Sequence, residues 1–351
     1  MSGYRCRFVV LLCAALFLGG CAMGGASGKN TVSGLEALKQ GNYTEAVGLF
    51  ETALEEKEQP VLAYRGLGLA YMGLAQYENA EEAFHEALES TDGKMPKTVL
   101  DLKKYMAAVE YHLEDYEAVV SICDEILLSG EKGTGDIYFL RGASQLKQGM
   151  EEEARSDFDM AVSLDAENYD LYMNIYECYD SCNRSGLGYA YLQAALNIHG
   201  EDQEDAYQRG RIYYFLGDYE TARTTLLEPV ENKYEPAMFL MGDVYLATGE
   251  SARAKSTYQL IQATFGDSAH CFNGLAMCAI AEEKWDEALS LISQGMALED
   301  TGYQQELCYN EIAAYEGKQD YATALAKAQE YTAKYASDPR GRKELEFLST
   351  R

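Results

Sequence analysis

The chain has 351 residues, with 57 Asp plus Glu against 29 Lys plus Arg, a formal net charge of −28 and 47% hydrophobic residues. That hydrophobic share suits a folded protein rather than a disordered one. The acid excess excludes a nucleic-acid binder, which needs a positive footprint, and a basic face for anionic lipid.

Residues 1–21, MSGYRCRFVVLLCAALFLGGC, place Arg5 and Arg7 before an unbroken apolar run from Phe8 to Leu18. A short run of this kind with a positive start reads as a secretory signal, not a lasting membrane span. Its ending, Leu18-Gly19-Gly20-Cys21, resembles the bacterial lipobox. The resemblance implies cleavage of residues 1–20 and diacylglycerol on Cys21, with the protein held at a cell membrane or outer membrane, outside the cytoplasm. Two acyl chains suffice for stable anchoring, at about 0.8 kcal/mol per buried CH₂. Cleavage removes two basic residues and no acid, so the mature chain is more acidic still. Residues 21–30 are then the lipidated Cys and a flexible tether of small residues, with a reach of roughly 30 Å.

The next segment, residues 31–336, is periodic. Residues 64–88, YRGLGLAYMGLAQYENAEEAFHEAL, carry aromatic and small residues at fixed offsets. They resemble the tetratricopeptide repeat, a helical hairpin with the pattern W-x₂-L-G-x₂-Y followed by A-x₃-F and A. In the family's numbering of slots, Tyr64 is slot 4, Gly68 slot 8, Tyr71 slot 11, Ala80 slot 20, Phe84 slot 24 and Ala87 slot 27. Slot 20 recurs as Ala46, Ala80, Val119, Ala154, Gly188, Ala222, Ala254, Ala288 and Ala324, at intervals of 32 to 39 residues. Slot 8 is Gly34, Gly68, Gly142, Gly210 or Gly242 in five of these nine units.

Slots 8 and 20 lie where the two helices of a hairpin cross, so small residues are needed there, and aromatics at slots 4, 11, 17 and 24 fill the space beside them. The fifth unit has Tyr176 at slot 8 and Gly188 at slot 20, a size swap across one contact. The third departs further, with Glu110 at slot 11, Cys123 at slot 24 and a widened spacing around Thr91 to Pro96. After the repeats, Asp338-Pro339 opens a short helix within residues 337–351 whose polar outer side suits it to cover the last repeat. The expected fold is all-α: a right-handed α-solenoid of about nine hairpins plus a C-terminal capping helix.

Six cysteines lie beyond residue 21, and five of them (Cys123, Cys178, Cys271, Cys278 and Cys308) occupy slots that face the repeat core. Free thiols are expected, with Cys178 and Cys182 the one pair whose bridging bears testing. The four histidines are scattered, with no H-E-x-x-H pattern, and no Walker loop, nucleophile elbow or calcium loop is present. The reading is therefore no enzyme, no metal and no cofactor.

The resemblance implies that slots 5 and 12 and their neighbours line the concave side, where ligands of the family lie. These positions include Arg65, Lys104, Tyr111, His112, Phe139, Lys147, Tyr207, Arg211, Tyr214 and Phe215. A cationic and aromatic lining suits an extended acidic or aromatic peptide. The same residues could instead pack on adjacent repeats or pair with Asp101, Asp136 and Glu204. The carboxylate clamp of chaperone-binding members is not supported, since Leu69 stands where that clamp has Asn. The expected function is a lipid-anchored scaffold for a protein or peptide partner. Alternatives are a glycan-binding surface lipoprotein or an assembly lipoprotein of an envelope complex.

Overall fold

The computed structural model describes residues 28–130, 134–298, 301–335 and 338–351. The signal segment, Cys21 and most of the tether lie outside them. Among the described residues there are twenty α-helices, one 3₁₀ turn and no strand.

The chain divides into two bodies, residues 28–191 and 192–351. The first holds α1 (Lys29–Lys39), α2 (Tyr43–Glu55), α3 (Pro60–Gly73), α4 (Tyr77–Ser90), α5 (Pro96–His112), α6 (Tyr116–Leu128), α7 (Gly135–Lys147), α8 (Glu151–Leu164) and α9 (Tyr169–Ser181). Its boundary falls within α10 (Ser185–Ala195). The second holds α11 (Gln203–Phe215), α12 (Tyr219–Thr225), α13 (Leu227–Glu231), α14 (Glu235–Ala247), α15 (Ser251–Phe265), α16 (Ala269–Ala281), α17 (Trp285–Met296), α18 (Gln304–Gly317), α19 (Tyr321–Lys334) and α20 (Pro339–Leu348). Pro229 separates α12 from α13, because its ring displaces the carbonyl four residues back and it brings no N–H.

What makes these helices hairpins is visible in the backbone of the turns. Gly41, Ala75, Glu114, Gly149, Asn183, Gly217, Gly249, Glu283 and Gln319 all have positive φ, between 55° and 80°. All nine occupy slot 15. The following N–H in each case donates to the carbonyl five residues earlier, as from Asn42 to Ala37, Asp115 to Glu110 and Asp320 to Tyr315. That bond closes a Schellman motif, which satisfies an orphan carbonyl at the end of the first helix. Asp115, Asp218 and Asp320 then cap the second helix, each accepting from a backbone N–H three residues on.

Within each body the first helices of successive hairpins pack on one another: α1 on α3 and α5 on α7, then α14 on α16 and α16 on α18. This is the packing of an α-solenoid. The slot-24 side chain, more often than the slot-20 one, is what presses on the slot-8 glycine. A Cβ at Gly34 would stand 2.8 Å from the Phe50 ring, and one at Gly66 in the next hairpin 2.2 Å from it. Tyr258 is held the same way, between Gly242 at 2.6 Å and Gly274 at 2.4 Å. Each ring thus sits between glycines of two successive hairpins, which joins hairpin closure to stacking.

Two boundaries come out differently or more sharply than expected. The first helix starts at Lys29, inside the segment read as tether, because Glu58 accepts from the backbone N–H of Asn30 and Thr31 at 3.0 and 3.1 Å. The capping helix starts at Pro339, and Asp338 accepts from Arg340 N–H at 2.8 Å.

Candidate functional site

In the first body, Arg65 on α3 reaches across to α5. Its Nε donates to Asp101 at 2.7 Å and its second guanidinium nitrogen to the Tyr105 hydroxyl at 3.1 Å. The guanidinium also lies 5.3 Å from the Tyr105 ring centroid. Arg65 is thereby neutralised between two hairpins, one of the two roles its sequence position allowed. His112 stacks on Tyr77, centroids 4.1 Å apart and nearly coplanar. Burial lowers its pKa to about 4, so the ring is neutral at physiological pH. Tyr111 meets Tyr116 edge-on at 5.5 Å.

Phe139 is a correction to the concave list. It is 1% exposed and packs on Phe158 at 5.6 Å, so it belongs to the core. Lys104 and Lys147 behave otherwise. Among the described residues no acid pairs with half-buried Lys104, and exposed Lys147 donates only to the Ser181 hydroxyl, at 3.0 Å.

The second body holds the other four expected residues together on α11. Arg211 donates to Gln208 Oε1 at 2.6 Å and lies over the Tyr207 ring at 5.7 Å. Tyr207 meets Tyr234 edge-on, and Tyr214 meets both Tyr219 and Phe215. Burial, with Asp243 nearby, pushes the Tyr214 hydroxyl well above its usual range, so it is a neutral donor. The four form an aromatic strip with one cation laid upon it. Glu204, one of the acids considered as a partner, accepts instead from Tyr234 and from Gln208.

Three clusters escaped the sequence reading. Glu81 and His85 on α4 converge with Glu110 on α5, each offering a donor atom within 4.8 Å of the others. In the second body, His270 is stacked between Phe239 and Tyr303 at 3.7 and 4.0 Å. At the chain end, Arg340 donates to both oxygens of Glu306 at 3.1 Å and to Asp338 at 2.8 Å. Burial works against the Asp338 charge, but bonds from Arg340 and Tyr331 outweigh it and hold the pKa at about 2. The one signal for the first cluster in the sequence was Glu110, in a slot where five other repeats carry Tyr.

The six described cysteines are free thiols, Cys178 and Cys182 included. Burial raises Cys123 and Cys278 to about 12 and Cys271 to about 11, which leaves them unreactive core residues.

Tetratricopeptide-repeat family models match residues 32–94, 206–230 and 236–268, which cover the first, second, sixth and seventh hairpins. A DnaJ homolog subfamily C member 7 homolog of Dictyostelium discoideum is 29% identical over 158 residues, 42% of this chain. The match spans only 29% of that protein. A solved tetratricopeptide repeat protein from Parabacteroides merdae is 11% identical, covering 73% of this chain and 99% of its own, with a TM-score of 0.48. The APC/C hetero-tetramer Cut9–Hcn1 is 13% identical, covering 91% and 83%, with a TM-score of 0.40.

Proposed function

From a chain that carries tetratricopeptide repeats, we propose a non-catalytic protein-interaction scaffold, anchored through lipid on Cys21 outside the cytoplasm of a bacterium, that grips an acidic protein or peptide. Repeat arrays spend their residues on stacking neighbours and offer extended surfaces for a partner. The observation that carries the reading is the state of Lys104 and Lys147. They sit on α5 and α7, first helices that pack on each other, and no acid among the described residues pairs with either. In a chain of net charge −28, two cations left without an acid on one helix layer are available to an acidic ligand.

A panel of fluorescent acidic peptides tests this on the full-length chain in detergent. Binding should weaken with salt and fall about tenfold or more in the Lys104→Glu, Lys147→Glu double variant. Equal binding by the double variant and the wild type would refute Lys104 and Lys147 as the binding surface. The anchor has a separate test. Wild-type cells grown with labelled palmitate should label the protein, and Cys21→Ser should abolish the label; an unlabelled wild type removes the anchor.

A further inference from the structure

Glu110 occupies a slot where five other repeats carry Tyr, and it is 7% exposed. Among the described residues no cation and no hydrogen-bond donor reaches its carboxylate; the charged groups facing it are the acids Glu81 and Asp115. A charged carboxylate buried in this way is costly unless it is paired, takes up a proton or coordinates a metal. Glu81 and His85 stand four residues apart on α4, so both project from one side of that helix. The helix packs on α5, and one donor atom from each of Glu81, His85 and Glu110 lies within 4.8 Å of the other two.

We propose that Glu81, His85 and Glu110 bind one divalent transition-metal ion, with Zn²⁺ the best match. The donor set decides the class of ion. Calcium and magnesium take oxygen ligands, whereas an imidazole beside carboxylates selects a borderline ion such as Zn²⁺. Three protein donors with water in the fourth position make a familiar zinc shell. With bonds of about 2.1 Å, tetrahedral donors stand about 3.4 Å apart, so the groups must draw in by roughly an ångström. Exposed His85 and half-buried Glu81 can supply that movement over a fixed Glu110 floor. The ion would clip α4 to α5 at the junction where the interval between repeats is widest, from Ala80 to Val119.

Zn²⁺ titration of the full-length chain in detergent, with excess Ca²⁺ to occupy scattered surface acids, is the direct test. One Zn²⁺ per chain should bind and raise the melting temperature. His85→Ala and Glu110→Gln should each weaken binding about tenfold or more. Glu153→Gln, an exposed acid on α8, should leave it unchanged. Glu110→Gln keeps the shape of the neutral acid, so its fold, checked by circular dichroism, is retained. Zn²⁺ displaced by excess Ca²⁺, or bound equally by both ligand variants, would overturn the site.

Discussion

Tyr176 lies directly over the backbone of Gly188: a Cβ at position 188 would stand 2.9 Å from the tyrosine Cδ2 and 3.0 Å from its Cα. The large residue has moved to the first helix of the fifth hairpin and the small one to the second, and the crossing stays close. Gly188→Ala should therefore destabilise the chain by about 2 kcal/mol through overpacking. Tyr176→Gly empties a buried site and should cost more on its own, but the double variant should lose less than the sum of the two, a non-additivity read from urea unfolding of the two single variants and the double. Additive losses would mean that the two positions do not share one space.

The left-handed turn position offers the opposite sign of effect. Glu114 and Gln319 hold φ of 62° and 63°, a conformation that costs a residue with a Cβ about 1 kcal/mol. Glu114→Gly and Gln319→Gly should each stabilise by up to about 1 kcal/mol, reduced by the greater freedom of glycine in the unfolded chain. The same denaturation midpoints check it. Gly149→Ala, at φ 80°, should destabilise by a similar amount.

At the chain end, Arg340 is the shared partner of two acids, Glu306 at 9% exposure and Asp338 at 9%. Removing it leaves both without their cation. Arg340→Ala should cost about 3 kcal/mol, far more than loss of an exposed pair such as Lys318–Asp286. Because the folded Asp338 pKa lies below the unfolded value, its contribution is present above the unfolded pKa and lost as pH falls toward about 2.

Glu316 behaves in the reverse sense. Burial and the carboxyl of Glu344 on the capping helix raise its pKa to about 7. Folding then favours the protonated acid, so this contribution is full below the unfolded pKa and lost as pH rises toward 7. Glu316→Gln should unfold at a higher urea concentration than wild type at pH 8 and at nearly the same one at pH 4.5. A difference that did not change with pH would show that the proton is not held there.

Much of this architecture was legible because the repeat writes itself in residue size. Glycine at slot 8 and alanine at slot 20 mark where helices approach, and the in-phase return of that pattern sets the hairpins. The size swap at Tyr176 and Gly188 could be read for the same reason. Glu58 capping the first helix could not, since nothing local links it to Asn30, 28 residues earlier. The concave list mixed two kinds of position. Slot alone does not separate Phe139, drawn into the core by Phe158, from Lys147, which stays in solvent. Nor could scattered histidines reveal that His85 meets Glu110, because helix phase brings Glu81 and His85 to one side while the partner comes from the next hairpin.

The nine turns have a consequence for how the chain acquires its form. Each is closed by a backbone bond spanning five residues, and five of the nine do so without glycine. A bond so short in sequence loses little chain entropy when it forms, so a hairpin can settle before anything distant is in place. A polypeptide emerging lengthwise through a narrow exit could therefore fold in instalments, each finished hairpin presenting a surface on which the next one docks.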